Sequence, residues 1–169
     1  MDGNEPGRPR SRVRATERGK YRIDSVPAPH SAFESYIVQV TPSFGLSWVK
    51  AIGKTMRCSA CGIELRTEFD SLESRLSATY GKSHRTDMLI PGSIWDEPRD
   101  WMDALLVQER YLMTVWDSKH GSTLKDSLAS LALIANALDA SSGWVVVEYS
   151  FENAEAADAA VASTENKAL

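Results

Sequence analysis

Two cysteines separated by two residues, Cys58 and Cys61, come closer to a chemical motif than any other side chains in this sequence. With Gly62 at the next turn position they have the form of a zinc knuckle, but structural zinc takes four ligands and no second CxxC is present. A redox pair would lie at a helix N-terminus, which lowers the pKa of the first thiol. The following residues, 63–66, instead predict a strand. Structural turn cysteines are therefore expected, with zinc binding or redox chemistry at Cys58 and Cys61 as alternatives.

Other polar patterns give weaker indications of a site. The segment 53–55 resembles the end of a phosphate-binding loop, but Trp48 occupies the position where that loop needs its first glycine. The four acids between 96 and 103 suit the positive end of a helix dipole. His84 and Asp87 could belong to an enzyme site assembled from scattered residues, but no nucleophile motif accompanies them. The sequence therefore predicts no catalytic and no cofactor-binding residue.

Tryptophan is frequent, with five in the chain. Trp95 and Trp101 flank the start of a predicted helix beside several acids, and tryptophan concentrates in the energetically dominant parts of protein interfaces. Both are candidate partner-binding residues, with core packing as the alternative, favoured for Trp101. The remaining three lie in predicted strands, where core packing explains them: Trp48, Trp116 and Trp144.

Charge is distributed unevenly along the chain. Residues 1–22 carry seven basic and three acidic side chains, a net charge of +4, whereas the rest of the chain has a net charge of −8. The basic segment contains glycine, proline and alternating arginines with few large apolar residues, which predicts a disordered arm. Because an acidic body repels phosphates, any nucleic-acid contact is expected through this arm alone.

Local patterns predict strands where β-branched and aromatic residues concentrate, and helices where apolar residues recur every four positions. The predicted strands are 36–41, 46–57 with a bulge at Gly53, 63–67, 111–116, 131–138 and 144–151. The predicted helices are 70–80, capped by Asp70 and ended by Gly81, 96–109 with Pro98 in its first turn, and a last helix after Phe151. Residues 82–94 predict a loop. Segment 128–138 fits a helix nearly as well as a strand, and a short helix ended by Gly53 is the alternative to a strand in 46–57.

Short turns between neighbouring strands predict an α+β fold, with a mostly antiparallel sheet and two or three helices packed on one face. The expected organisation is a basic arm over 1–22, a single domain over 23–163 and a frayed C-terminus over 164–169. No apolar run reaches the roughly 18–20 residues that cross a bilayer. The arginines near the N-terminus are not followed by the apolar stretch of a secretory signal, so the cytoplasm is expected.

The preferred functional hypothesis is a non-enzymatic binding or regulatory module that acts through protein–protein contact. It is motivated by the acidic body, the candidate surface tryptophans and the missing catalytic set. The alternatives are a zinc- or redox-linked protein that uses the CxxC pair, and an enzyme with a site built from scattered residues. Segments 69–82 and 144–153 together resemble parts of small bacterial or phage proteins in a general way, and this resemblance implies no functional residue.

Overall fold

The computed structural model describes residues 13–17, 19–24 and 26–166. Within these ranges the chain forms nine strands and three α-helices. In chain order they are β1 (Val13–Glu17), β2 (Lys20–Ile23), β3 (Phe33–Thr41), β4 (Gly45–Gly53), β5 (Met56–Arg57), α1 (Ile63–Tyr80), β6 (His84–Leu89), α2 (Trp101–Leu106), β7 (Arg110–Asp117), β8 (Leu128–Asp139), β9 (Ser142–Phe151) and α3 (Ala154–Asn166).

The strands form one antiparallel sheet in the order β1-β2-β3-β4-β9-β8-β7-β6, with the short β5 paired to β9. The sheet consists of two hairpin-connected halves that meet where β4 pairs with β9. Strands that follow each other in the chain lie beside each other within each half. Short turns join β1 to β2, β3 to β4 and β8 to β9, longer segments join β2 to β3 and β7 to β8, and α1 and α2 flank β6 in the chain. The α+β prediction with an antiparallel sheet is confirmed.

Helices lie on both faces of this sheet. Leu65 of α1 and Met102 of α2 approach Gly143 of β9, so both helices cover the face to which the odd-numbered residues of β9 point. Helix α3 lies on the opposite face, where Gln39 of β3 donates a hydrogen bond to Asp158 at 2.7 Å. Two helices therefore pack on one face, as expected, and α3 adds a contact on the other face, where Ala157 is fully buried. No helix in the described part of the chain is long and apolar enough to cross a membrane.

The main core fills the space between the sheet and the first two helices. Trp116, Phe69 and Leu65 are its largest side chains with no measurable exposure. Burial of large apolar side chains stabilises the fold by about 1.5–3 kcal/mol each. The other members on the strands and on α2 include Leu112, Leu131, Leu133, Val145, Val147 and Met102.

The first helix begins earlier than the sequence predicts. Residues 63–67 were expected to form a strand and Asp70 to cap the helix, but α1 starts at Ile63. Leu65, Phe69 and Leu72 are buried at intervals of four and three residues, so the helical period already begins before Asp70. The predicted end is confirmed, since Gly81 closes the helix with a positive φ of 78°.

Strand β6 is the element that the sequence does not predict, because residues 82–94 were expected to form a loop. Its inward-facing positions carry Arg85 and Asp87 instead of apolar residues, and both charges are held in ion pairs. Strands with one buried face are recognised in a sequence by alternating apolar and polar residues. β6 departs from this pattern because charged residues take inward-facing positions. The prediction of a strand over 131–138 is confirmed by β8, which runs from Leu128 to Asp139.

β1 and all but the last residue of β2 lie in the segment predicted as a disordered arm over 1–22. Tyr21 and Ile23 of β2 pair with Val38 and Tyr36 of β3, which extends the sheet by apolar contacts that composition alone does not reveal. Residues 1–12 and Arg18 lie outside the described residues, and nucleic-acid contact by the arm stays a prediction. At the other end α3 continues to Asn166, within the predicted frayed segment 164–169, of which residues 167–169 lie outside the described range.

Candidate functional site

The sheet face opposite α1 and α2 differs in character from one end to the other. Among the described residues, α3 is the one helix on this face, and it packs against β3 and β4. Because the rest of the face is not covered by a helix of the described chain, we call it the open face. Side chains from alternate positions of β4, β9, β8 and β7 point to this face. Its two ends, one polar and one apolar, are described in turn.

At the polar end the charged groups are already paired. Lys50 and Glu148 form an ion pair at 2.9 Å, and the ammonium of Lys20 lies 5.5 Å from the centre of the Trp48 ring. A cavity of about 450 Å³ lies here between α3 and the sheet, with Asp158 among its lining residues. Because its charged and amide groups bind each other, this end presents a satisfied polar surface.

At the apolar end four residues form a continuous row across four strands. Ile52 pairs with Val146, Val146 with Ile134, and Ile134 with Met113. Trp144 precedes Val146 by two positions and therefore lies on the same face. We call these five residues the apolar stripe. Val146 at its centre is only 2% exposed, whereas the other four are half-buried. Cross-strand neighbours of this kind pack directly against each other.

Two cavities adjoin the apolar stripe, each of about 410 Å³. Trp144 and Asn136 line both cavities, so these two side chains separate them. One cavity extends toward β3 and β4, where Ile37 and Ile52 line it. The other extends toward β7, where Tyr111 lines it. The stripe is therefore flanked by depressions large enough to receive side chains of a partner.

Beyond β7, exposed apolar side chains continue the stripe to the edge of the sheet. Half of the twelve large apolar residues that are exposed in the described part of the chain lie between 88 and 111. Met88 of β6 pairs with Tyr111 of β7, and the Ile90 N–H donates to the Glu109 carbonyl at 2.7 Å. We call the six residues the edge patch: Met88, Ile90, Ile94, Leu106, Val107 and Tyr111.

The loop that carries part of the edge patch is held in place by hydrogen bonds. The Ser93 hydroxyl donates to the Glu109 carboxylate at 2.6 Å and accepts from the Trp95 N–H at 3.1 Å. Ile94 between them is 78% exposed, and the side chain of Trp95 is half-buried. An apolar side chain presented to solvent on an anchored loop is ordered before it meets a partner, which lowers the entropic cost of binding.

The two tryptophans that the sequence proposes as partner contacts have different surroundings. Trp101 is 4% exposed and lies in the core, against Gly62 and beneath the guanidinium groups of Arg66 and Arg110. It therefore has almost no surface to offer a partner. Trp95 is half-buried beside the edge patch and is available for contact.

Negative charge surrounds the edge patch. Residues 88–111 contain five acids and two arginines. Both arginines are paired, Arg99 with Glu97 at 2.8 Å and Arg110 with Asp87 at 2.7 Å. The edge patch therefore combines exposed apolar side chains with an acidic excess in the same stretch of chain.

The cysteine pair lies directly before α1, whose N-cap is Gly62 in a left-handed conformation. The helix N-terminus that a redox pair requires is therefore present, although the sequence predicted a strand there. The environment of Cys58 works against reactivity, because the thiol is 9% exposed and donates a hydrogen bond to the Met56 carbonyl at 3.6 Å. Burial, and secondly the negative charge of Glu64, raise the pKa of the Cys58 thiol.

Zinc binding would need further ligands beside the cysteine pair. Across residues 13–17, 19–24 and 26–166, no three histidine, cysteine or acidic side chains converge as a metal-binding group. Cys58 and Cys61 are both free thiols, the first buried and the second half-buried. Zinc at this pair therefore stays a prediction that rests on its spacing alone.

The two thiols are expected to differ in reactivity. At neutral pH iodoacetamide should alkylate Cys58 at least about tenfold more slowly than Cys61, because a raised pKa reduces the thiolate fraction and burial limits access. Mass spectrometry of the two peptides over time measures both rates. Faster alkylation of Cys58 than of Cys61 would contradict this assignment and favour the redox alternative.

His84 and Asp87, the residues of the enzyme alternative, are not brought together. They are three positions apart in β6 and therefore point to opposite faces of the sheet. His84 stacks on His120 with ring centres 4.8 Å apart, whereas Asp87 pairs with Arg110. Neither arrangement places a base next to a nucleophile.

The apolar stripe is the feature of this site that sequence reasoning missed. Its members are spread from Ile52 to Trp144 and Val146 along the chain, and only the register of four strands brings them together. The available signal was that side chains alternate between the two faces along β8 and β9, but this alternation does not tell which face remains uncovered. No protein-family model, no curated protein and no solved structure matches this chain.

Proposed function

We propose that this chain is a non-enzymatic protein-binding module whose open face holds an apolar segment of a partner protein. The carrying observation is that the apolar stripe continues into the edge patch through Met113 and Tyr111, which lie on the same face of β7, and through Met88, the partner of Tyr111 in β6. Contiguous apolar surface of this kind marks interaction sites on soluble proteins. As part of this proposal we assign the chain to the cytoplasm, where free thiols stay reduced.

The partner segment carries basic residues next to its apolar ones. The acids around the edge patch, among them Asp96, Asp100 and Asp103, have no basic partner within ion-pair distance in the described part of the chain. Lysine or arginine in the partner would pair with them at the rim of the contact. Rim charges of this type contribute mainly to association rate and selectivity, while the apolar centre supplies affinity.

Trp144 is the central residue of this contact. It is a half-buried aromatic side chain between two cavities, and partly exposed tryptophans next to pockets are typical binding hot spots. Tyr111, a member of the edge patch, lines one of these two cavities. A partner that fills both cavities would cover Trp144 on two sides.

Peptide selection on the immobilised chain tests this proposal. We expect the enriched peptides to combine large apolar residues with lysine or arginine, and Trp144→Ala to weaken their binding by at least about thirtyfold, the effect of a hot-spot residue. Titration calorimetry measures the affinities. Ile63→Ala is the matched control, because Ile63 is equally apolar and 58% exposed but lies at the start of α1.

Three results would overturn the proposal or its partner. Failure to enrich any peptide would contradict protein binding, provided that circular dichroism shows the chain used for selection folded. Enrichment of acidic peptides would contradict the assigned charge of the partner. Concentration-dependent dimers that Trp144→Ala abolishes would identify a second copy of this chain as the occupant and contradict a basic partner.

A further inference from the structure

The sheet divides at one point inside the proposed binding face. β7 and β8 pair from Met113 and Ile134 to Asp117 and Ser130. The adjoining segments, 110–112 of β7 and 135–137 of β8, continue as strands but do not pair with each other, although both are fully described. We call the space between them the split. It lies where the apolar stripe meets the edge patch.

Each side of the split has main-chain groups without a strand partner. Residues 110–112 pair with β6 on their outer side, and residues 135–137 pair with β9 on theirs. Every strand residue directs its N–H and C=O groups to one neighbour or the other, so each segment has groups that point into the split. Unpaired main-chain groups are costly once water is excluded, so a segment that bonds to them gains affinity.

The cavity of about 410 Å³ that adjoins Tyr111 lies in the split. Arg110 to Met113 line one wall and Ile134 to Ala137 line the other. Leu105 and Leu106 of α2 also line it, from the covered side of the sheet, and Trp144 lines it from the open face. The cavity therefore has an apolar floor and an opening toward the apolar stripe.

The connection between α2 and β7 holds the split open. Gln108 has a positive φ of 60°, a conformation that glycine adopts more readily. Its N–H bonds to the Leu105 carbonyl at 3.2 Å, and the Glu109 N–H bonds to the Ala104 carbonyl at 2.9 Å. These bonds tie the start of β7 to α2, so the strand reaches β8 only at Met113.

We infer that the partner segment enters the split in extended conformation, forms main-chain hydrogen bonds with residues 110–112 or 135–137, and places one large apolar side chain in the cavity. This inference rests on the proposed function and specifies its binding mode. An extended segment is favoured over a helix, because the main-chain groups of a helix are already bonded within it. The acidic rim between 96 and 109 then meets the basic residues that flank the extended core of the segment.

Backbone methylation of a selected peptide tests this mode. Methyl groups on alternate peptide nitrogens remove donors while they keep every side chain. We expect one alternate set to weaken binding by at least about tenfold and the other set to have less effect, because strand donors alternate in direction. Amide hydrogen exchange should slow on peptide binding for some amides of 110–112 or 135–137, while the amides of 48–52, paired on both sides, keep their rates.

The possible failures are distinguishable. If both methylated sets bind like the parent peptide and no amide of the split gains protection, the segment binds through side chains on the open face. The inference is then wrong and the proposed function stands. If no unmethylated peptide binds at all, the proposed function is wrong and the inference falls with it.

Discussion

Replacing Gly62 with alanine is expected to destabilise the fold by about 2–5 kcal/mol, through backbone strain and a clash that act together. Gly62 has a φ of 62°, which a side chain disfavours. A Cβ atom at this position would lie 2.2 Å from Cε3 of Trp101. The ring cannot move away easily, because Trp101, the first residue of α2, is buried in the core. Chemical denaturation followed by far-ultraviolet circular dichroism measures the loss.

Gly92→Ala separates the two contributions. Gly92 has a φ of 85°, but a Cβ atom there would meet nothing within 4 Å. This variant should therefore lose only the backbone component, about 1–2 kcal/mol. Equal losses in both variants would show that Trp101 does not constrain position 62, and the packing of α1 against α2 would need revision.

Replacing Glu73 with alanine is expected to cost about 2–4 kcal/mol, because one carboxylate serves two buried or half-buried partners. The fully buried Thr114 hydroxyl donates to Glu73 at 2.8 Å, and Arg85 forms an ion pair with the same carboxylate. Burial has the largest single effect on the pKa of Arg85 and lowers it. The hydrogen bonds and ion pairs with Asp70 and Glu73 together outweigh burial, so the pKa of this guanidinium is raised. The variant leaves the buried Thr114 hydroxyl without its acceptor and leaves Arg85 with Asp70 as its remaining partner.

Asp70→Ala is the control for this network. Asp70 also pairs with Arg85, at 2.7 Å, but its side chain is 58% exposed, compared with 16% for Glu73. An exposed pair contributes at most about 1 kcal/mol. Adding Thr114→Val to Glu73→Ala should recover part of the loss, since no buried hydroxyl then remains unpaired. Denaturation curves that show no recovery would assign the loss to Arg85 alone.

Much of the fold was predictable where local sequence agrees with tertiary structure. The run of valines in β9 predicts a buried strand, and Gly81 predicts the end of α1, because the backbone there needs a positive φ. Pro98 opens a short 3-10 turn, Pro98–Asp100, directly before α2, where its missing N–H costs nothing, but α2 itself covers only Trp101–Leu106 of the helix predicted over 96–109. Each of these signals lies within a few residues of the structure that it determines.

The candidate site was less predictable because long-range register creates it. Trp95 was identified from its neighbours, whereas Trp144 was assigned to the core, and no local pattern shows which face of a strand remains uncovered. The start of α1 was misplaced because 63–67 are consistent with a short strand when they are read without the buried Phe69. β6 was missed because the partners of Arg85 and Asp87 lie far away in sequence.

The pairing of β4 with β9 has a consequence for biosynthesis. Trp48 and Ser150 are partners across the middle of the sheet, so the inner edge of β4 has no neighbour until β9 has also left the ribosome. The earlier hairpin can form from nearby residues, but the two halves join only when the last strand emerges. Contacts of such sequence separation slow folding and expose unpaired strand edges to aggregation. Nascent chains that stop before residue 142 are therefore expected to need protection from chaperones.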